Sequence, residues 1–281
     1  MMRLSSSFRI ARWVISACAA IALSGCNDGT TSLAPGAQVR TYKPDRIVTQ
    51  DALHAALATA LAGGNGGLDF PMWATVVDRA GVVVAVVFSG TEVDDQWLGS
   101  RAISAQKANT ANDFSLDGFA LSTANLFSAV QPGGSLFGLQ ESNPVDPDVV
   151  YGGKAAYYGT ERDFMIGKKP GGVNVFGGGL ALYDATTGEV IGAVGLSGDT
   201  SCADHNIAWR VRHALNMDNV PAGVAPAVGS NPAGKDNIIF DINPATHASA
   251  SGFGHPTCLS SAADSTRGTN LPTTYPLGPT P

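Results

Sequence analysis

The run Trp73-Ala-Thr-Val-Val-Asp-Arg-Ala-Gly-Val-Val-Val-Ala-Val-Val-Phe88 constrains the fold more than any other stretch of this chain. Two blocks of β-branched residues flank Asp78-Arg79-Ala80-Gly81, a turn signal, so the segment reads as a β-hairpin. The second block is apolar without alternation, which requires cover on both faces of its strand. A second pair of strands is expected from Gly178 to Asp184 and from Glu189 to Ser197, around Ala185-Thr186-Thr187-Gly188. Between and around the hairpins lie helical patterns. Leu53, Leu57 and Leu61 share one face of a helix that Thr49 caps and Gly63-Gly64 stop. Arg101 to Phe114 is an Ala-rich helix, Ser122 to Val130 a short one, and Ile207, Val211 and Leu215 mark another that begins at Asp199 or Thr200. Hairpins segregated from helices give an α+β fold with an antiparallel sheet.

The chain opens on Arg3, Arg9 and Arg12 with no acid before Asp28, followed by an apolar stretch from Trp13 to Leu23. That stretch is too short for a bilayer, which needs about 20 residues, and has the form of a signal peptide. It ends in Leu23-Ser24-Gly25-Cys26, which resembles the bacterial lipobox. The expectation is cleavage before Cys26, lipidation of its thiol and a lipid-anchored protein in the cell envelope. Asn27 after the cysteine points to the outer membrane, facing the periplasm. Residues 1–25 are then the signal peptide, 26–45 a tether, 46–220 the folded domain with an insertion at about 131–170, and 221–281 a tail. The last 20 residues read as disordered.

Removing the leader takes away three of the 17 basic residues and none of the 23 acids, leaving a net charge of −9. Nucleic acid and anionic lipid surfaces are poor partners for so acidic a chain. Of four cysteines, Cys202 and Cys258 remain once Cys18 has left with the leader and Cys26 is acylated. An oxidising compartment favours a disulfide between them. The competing reading is a pair of thiolates on a metal, which lacks the usual CxxC or Cys/His spacing.

The stretch Arg101-Ala-Ile-Ser-Ala-Gln-Lys107-Ala-Asn-Thr110-Ala-Asn-Asp-Phe114 stands between Val-Val-Asp78-Arg-Ala-Gly-Val and Pro170-Gly-Gly-Val-Asn-Val175. Ile191-Gly-Ala-Val-Gly-Leu-Ser-Gly-Asp199 and Ala203-Asp204 follow. Through these blocks the chain resembles the GlcG/HbpS-like family of haem-binding proteins from about Ile47 to Leu215. The resemblance implies a profilin-like antiparallel sheet of about five strands with helices on both faces, a homo-oligomer, and a site for haem or a related small ligand. Asn174 stands where the family usually has proline, and the loop before it is longer.

Haem iron takes imidazole, thiolate, thioether or phenolate donors, and no CxxCH attachment motif is present. His205, beside Asp204 at a helix start, is the leading candidate for iron. Asp204 itself, Lys107 and Thr110 in the family-like block, and His54 on the first helix complete the candidate cofactor residues. His213 lies two turns beyond His205 and reads as part of a solvated helix face, with a chelating pair as the alternative. His247 and His255 read as exposed. Lys107 steers a carboxylate or spans a subunit interface. Glu92, Asp94 and Asp95 form either a hard-cation cluster or a solvated loop. Ser104-Ala-Gln-Lys107 matches the S-x-x-K of serine β-lactamases without its companion motifs. The glycine-rich 63–67 segment precedes a strand and reads as a flexible connection. No nucleophile–base pair is legible, so a ligand-binding role leads over an enzyme of small organic acids and over an envelope interaction module.

Overall fold

The computed structural model describes residues 47–226, 234–259 and 263–278. The leader, Cys26 and the tether lie outside the described residues. Among the described residues no helix is long and apolar enough to cross a membrane.

Helix α1 (Gln50–Leu61) leads into β1 (Trp73–Asp78), β2 (Val83–Phe88) and α2 (Ser100–Asp113). Short elements follow: β3 (Phe119–Ala120), α3 (Leu126–Ala129) and α4 (Pro147–Val150). Then come β4 (Gly179–Tyr183), β5 (Val190–Ser197), α5 (Ser201–Ala214), β6 (Ala222–Gly223) and α6 (Ala263–Thr274). The main sheet has four antiparallel strands in the order β2-β1-β5-β4, and β3 and β6 form a separate parallel pair. The fold is therefore α+β with helices on both faces of the sheet.

Strand periodicity explains how two cores form. Ala74, Val76, Val194 and Leu196 point to one face, where Leu53 and Leu57 of α1 and Ile207 and Trp209 of α5 meet them. Trp73, Val77 and Ala193 point to the other face, against Ala102, Ala105 and Ala108 of α2. Both faces are thus dry, as the unbroken apolar runs require. Thr49 caps α1 as expected, its hydroxyl accepting from the Ala52 N–H at 3.2 Å. α2 lies very close to the sheet because β4 and β5 carry glycine beneath it. A Cβ on Gly195 would stand 2.0 Å from the Ser104 carbonyl, and one on Gly179 2.5 Å from that of Lys107.

Several expectations need correction. Much of the C-terminal end is a helix: α6 packs on α5, buries Leu271, and Tyr275 gives its carbonyl to the Trp209 indole at 3.0 Å. Gly268 and Pro272, both poor helix formers, hide that helix from a propensity reading. Gly63 to Gly67 is a pinned connection rather than a loose one. Asp199 accepts from Asn65 Nδ2 (2.9 Å), Leu68 N (2.9 Å) and Phe70 N (3.1 Å), while Arg210 and Arg267 donate to the Gly64 and Gly63 carbonyls. The 131–170 stretch also packs inward. Val150 and Met165 join the α2 core, and Asp163 forms a two-pronged ion pair with the buried Arg101.

Candidate functional site

The start of α5 gathers most of the buried polar chemistry. Thr200 caps this helix by accepting from the Ala203 N–H at 3.2 Å. Four residues after the cap, Asp204 meets Lys107 from α2 across the glycine-bearing end of the sheet. Lys107 Nζ donates to Asp204 Oδ2 at 2.6 Å and to the Leu196 carbonyl at 3.0 Å, and lies 4.2 Å from the centre of the Phe176 ring. Asp204 Oδ1 accepts from the Asp199 N–H at 3.0 Å. Both side chains are sealed from water. Burial pushes the lysine down from its ordinary value and raises the Asp204 carboxyl to about 6, against the pull of the Lys107 charge. This pair joins α2 to α5 and neither partner faces a cleft.

Thr110 is one turn further along α2. It donates to the Gln106 carbonyl at 2.8 Å and accepts from the Asn174 N–H at 2.9 Å. This link needs the Asn174 N–H, which a proline at that position would lack.

His205 points away from Lys107 into a second buried cluster. Its Nε2 is 3.2 Å from both Asn237 Oδ1 and the Ile238 N–H. Beside it Arg212 and Asp236 pair through two contacts of 2.6 and 3.0 Å. An axial bond from His205 Nε2 to iron would require the 236–238 segment to withdraw. His54 sits exposed on α1, far in sequence and burial from this cluster. His205 and His213 form no chelating pair, since His213 Nδ1 lies 2.8 Å from Asp218. Asp95 closes its own turn on the Thr91 and Glu92 N–H groups, consistent with a solvated acidic loop.

Burial pushes the His205 imidazole down to about 3. The unfolded chain takes up this proton near pH 6.5, so the stabilisation from neutral His205 is intact above 6.5. It falls by about 1.4 kcal/mol per unit as pH drops towards 3. Asp204, raised in the folded state, slopes the opposite way between about 4 and 6. Urea unfolding from pH 7 to 4.5 should therefore be compared between wild type and His205→Gln. The difference in stability is expected to shrink steadily with falling pH, and a constant difference would show that His205 protonates while folded.

The disulfide between Cys202 and Cys258 is present, with Cα atoms 6.0 Å apart. His255 is buried beside it, correcting the expectation of an exposed side chain, whereas His247 is exposed. His255 Nε2 is 2.7 Å from Ser201 Oγ, and Nδ1 is 2.7 Å from the Pro256 carbonyl. Ser201 also accepts from the Gly177 N–H at 2.7 Å. Sequence reasoning missed this constellation because 54 residues separate its serine from its histidine.

It also missed a groove of about 430 Å³ between the start of α2 and the insertion. Val93, Leu98, Ala102 and Val150 make its walls, with Tyr151 and Tyr158 at the rim. The Arg101 guanidinium is in the floor, held by Asp163 and 3.8 Å from the centre of the Tyr158 ring.

The family model of HbpS-like haem degrading proteins matches residues 48–212. The chain belongs to the HbpS-like family. A Citrobacter freundii relative, described as an uncharacterized 15.0 kDa protein in the dhaT-dhaS intergenic region, is 31% identical over 141 residues. The match covers 50% of this chain and 73% of the relative. Among solved structures, Klebsiella pneumoniae protein ORFY is 25% identical with a TM-score of 0.42, over 64% of this chain and 97% of that one. PduOC in a complex with haem is 24% identical with a TM-score of 0.41, over 59% and 91% respectively. In this HbpS-like protein, His255, Cys258 and α6 all lie beyond the family match.

Proposed function

We propose that this HbpS-like protein is a non-enzymatic lipoprotein that binds haem or a related flat tetrapyrrole for sensing or scavenging. Family membership is the observation that carries the reading. The groove beside α2 supports its location: its volume falls within the range of small-molecule sites, about 300–1,000 Å³. Apolar walls suit a macrocycle, and Tyr151 and Tyr158 offer the phenolate chemistry by which some proteins hold haem iron. Lys107, Asp204, Thr110 and His205 are sealed and do not line the groove, and His54 on α1 is the alternative exposed donor. Cys26 carries the lipid anchor, the outer membrane facing the periplasm is the location, and the sheet-and-helix domain assembles with its own copies.

Titrating haem into the purified protein tests this. A saturable one-to-one Soret shift is expected, weakened at least about tenfold, or by 1.4 kcal/mol, in Tyr151→Phe or Tyr158→Phe and retained in His205→Ala. A shift lost only in His54→Ala would move the site to α1. No saturable shift would sink haem binding. That outcome would favour a protein-docking role for the exposed Trp97 and Leu98, beside which Phe70 stacks edge-on at 5.4 Å.

A further inference from the structure

We infer that Cys202, Cys258 and His255 form a redox-gated site for a zinc-like thiophilic ion, closed as a disulfide and opened by a dithiol reductant. The two sulfurs and an imidazole nitrogen lie within 4.8 Å of one another. A tetrahedral ion with bonds of about 2.0–2.3 Å needs donors spaced by roughly 3.5–3.8 Å. Cys202 Sγ is 4.0 Å from His255 Nδ1, so ligation needs the S–S bond to open and Nδ1 to turn from the Pro256 carbonyl, 2.7 Å away. Three protein donors would leave the fourth position to water.

The surroundings suit thiolates as well as a disulfide. Cys202 is in the first turn of α5, a helix of 14 residues, and its N–H points at Cys258 Sγ at 3.1 Å. The positive end of a helix and a backbone donor both stabilise a sulfur anion. Neither strand of the site depends on the S–S bond for its place. Cys202 is anchored inside the core, and the tail is held where His255 N donates to the Ile239 carbonyl at 2.7 Å and Ser128 Oγ to that of Gly254 at 2.6 Å. Cys258 is half-buried, which admits reductant and ion from the solvent side.

Ser201 completes the arrangement. With Nδ1–H donating to the Pro256 carbonyl, Nε2 accepts from Ser201 Oγ at 2.7 Å; when Nδ1 ligates, the proton moves to Nε2 and the same hydroxyl turns to accept it. Such a partner orients a ligating imidazole. The reduction is balanced by exchange with a dithiol: the S–S bond breaks, two electrons and two protons pass to the cysteines, and the reductant leaves as its own disulfide. Ion binding then displaces the two thiol protons, and the imidazole stays neutral.

Cobalt(II) alone, titrated into reduced full-length protein, is the probe, with far-ultraviolet circular dichroism recorded alongside. One equivalent is expected to produce thiolate-to-cobalt charge-transfer absorption and tetrahedral d–d bands, bleached by zinc. The oxidised protein should show neither. Cys258→Ser should abolish the charge-transfer signal of the two-thiolate site, His255→Ala should weaken binding at least about tenfold, and Ser201→Ala by about 10- to 100-fold. Three results would overturn the site: no signal in reduced protein that stays folded, loss of the fold on reduction, or binding unchanged by His255→Ala.

Discussion

Lys107→Met is expected to destabilise the protein by about 3–5 kcal/mol, the range for removing one partner of a buried ion pair. The methionine fills most of the lysine volume, so the loss reports charge rather than a cavity. Asp204 is then a carboxylate sealed from water, with the Asp199 N–H as its remaining donor. It escapes by taking a proton, and the loss in Lys107→Met should therefore narrow as pH falls. The double variant Lys107→Met/Asp204→Leu should recover most of the stability, because a well-packed apolar pair avoids the desolvation of two ions. Urea unfolding of the four proteins closes the cycle. A single-variant loss under about 1 kcal/mol, the range of exposed pairs, would mean that water reaches the pair.

Cys258→Ser should cost about 4 kcal/mol, from the chain-entropy estimate for a 56-residue separation. The bond acts mainly on the unfolded chain, where it ties α5 to the tail. In the folded state α6 keeps its own contacts, including Asn206 Nδ2 to the Asp264 carbonyl at 3.1 Å and the buried Leu271. The variant should consequently unfold at lower urea with a larger m-value, while its helical content before the transition matches wild type. Wild type under reductant should coincide with it in the absence of metal. A loss under about 1 kcal/mol would show that the unfolded chain already holds these segments together.

Local pattern made the scaffold legible. Alternation and β-branching located β1, β2, β4 and β5, the leucine spacing and Thr49 located α1, and the Lys107 and Asp204 blocks marked the family. Those signals are written into adjacent residues, because side-chain direction repeats every 2 or 3.6 positions. The pairing of Cys202 with Cys258 was readable for a different reason: counting left only two thiols. Residues whose roles depend on distant partners gave no such signal. His205 and His213 share a helix, yet their partners Asn237 and Asp218 come from the chain beyond it. The tail helix was masked by Gly268 and Pro272, whose poor propensity is overridden by packing on α5.

Linear order established the hairpins, the covered sheet and the family, since each rests on short-range periodicity, composition or motif. Folding assigned the chemistry. It sealed Lys107 against Asp204, enclosed His205, buried His255 beside the disulfide, and joined residues 93–102 to 150–158 in one groove. Burial and proximity between residues about 30 to 100 positions apart arise from the summed packing of all elements, and no local pattern encodes that sum.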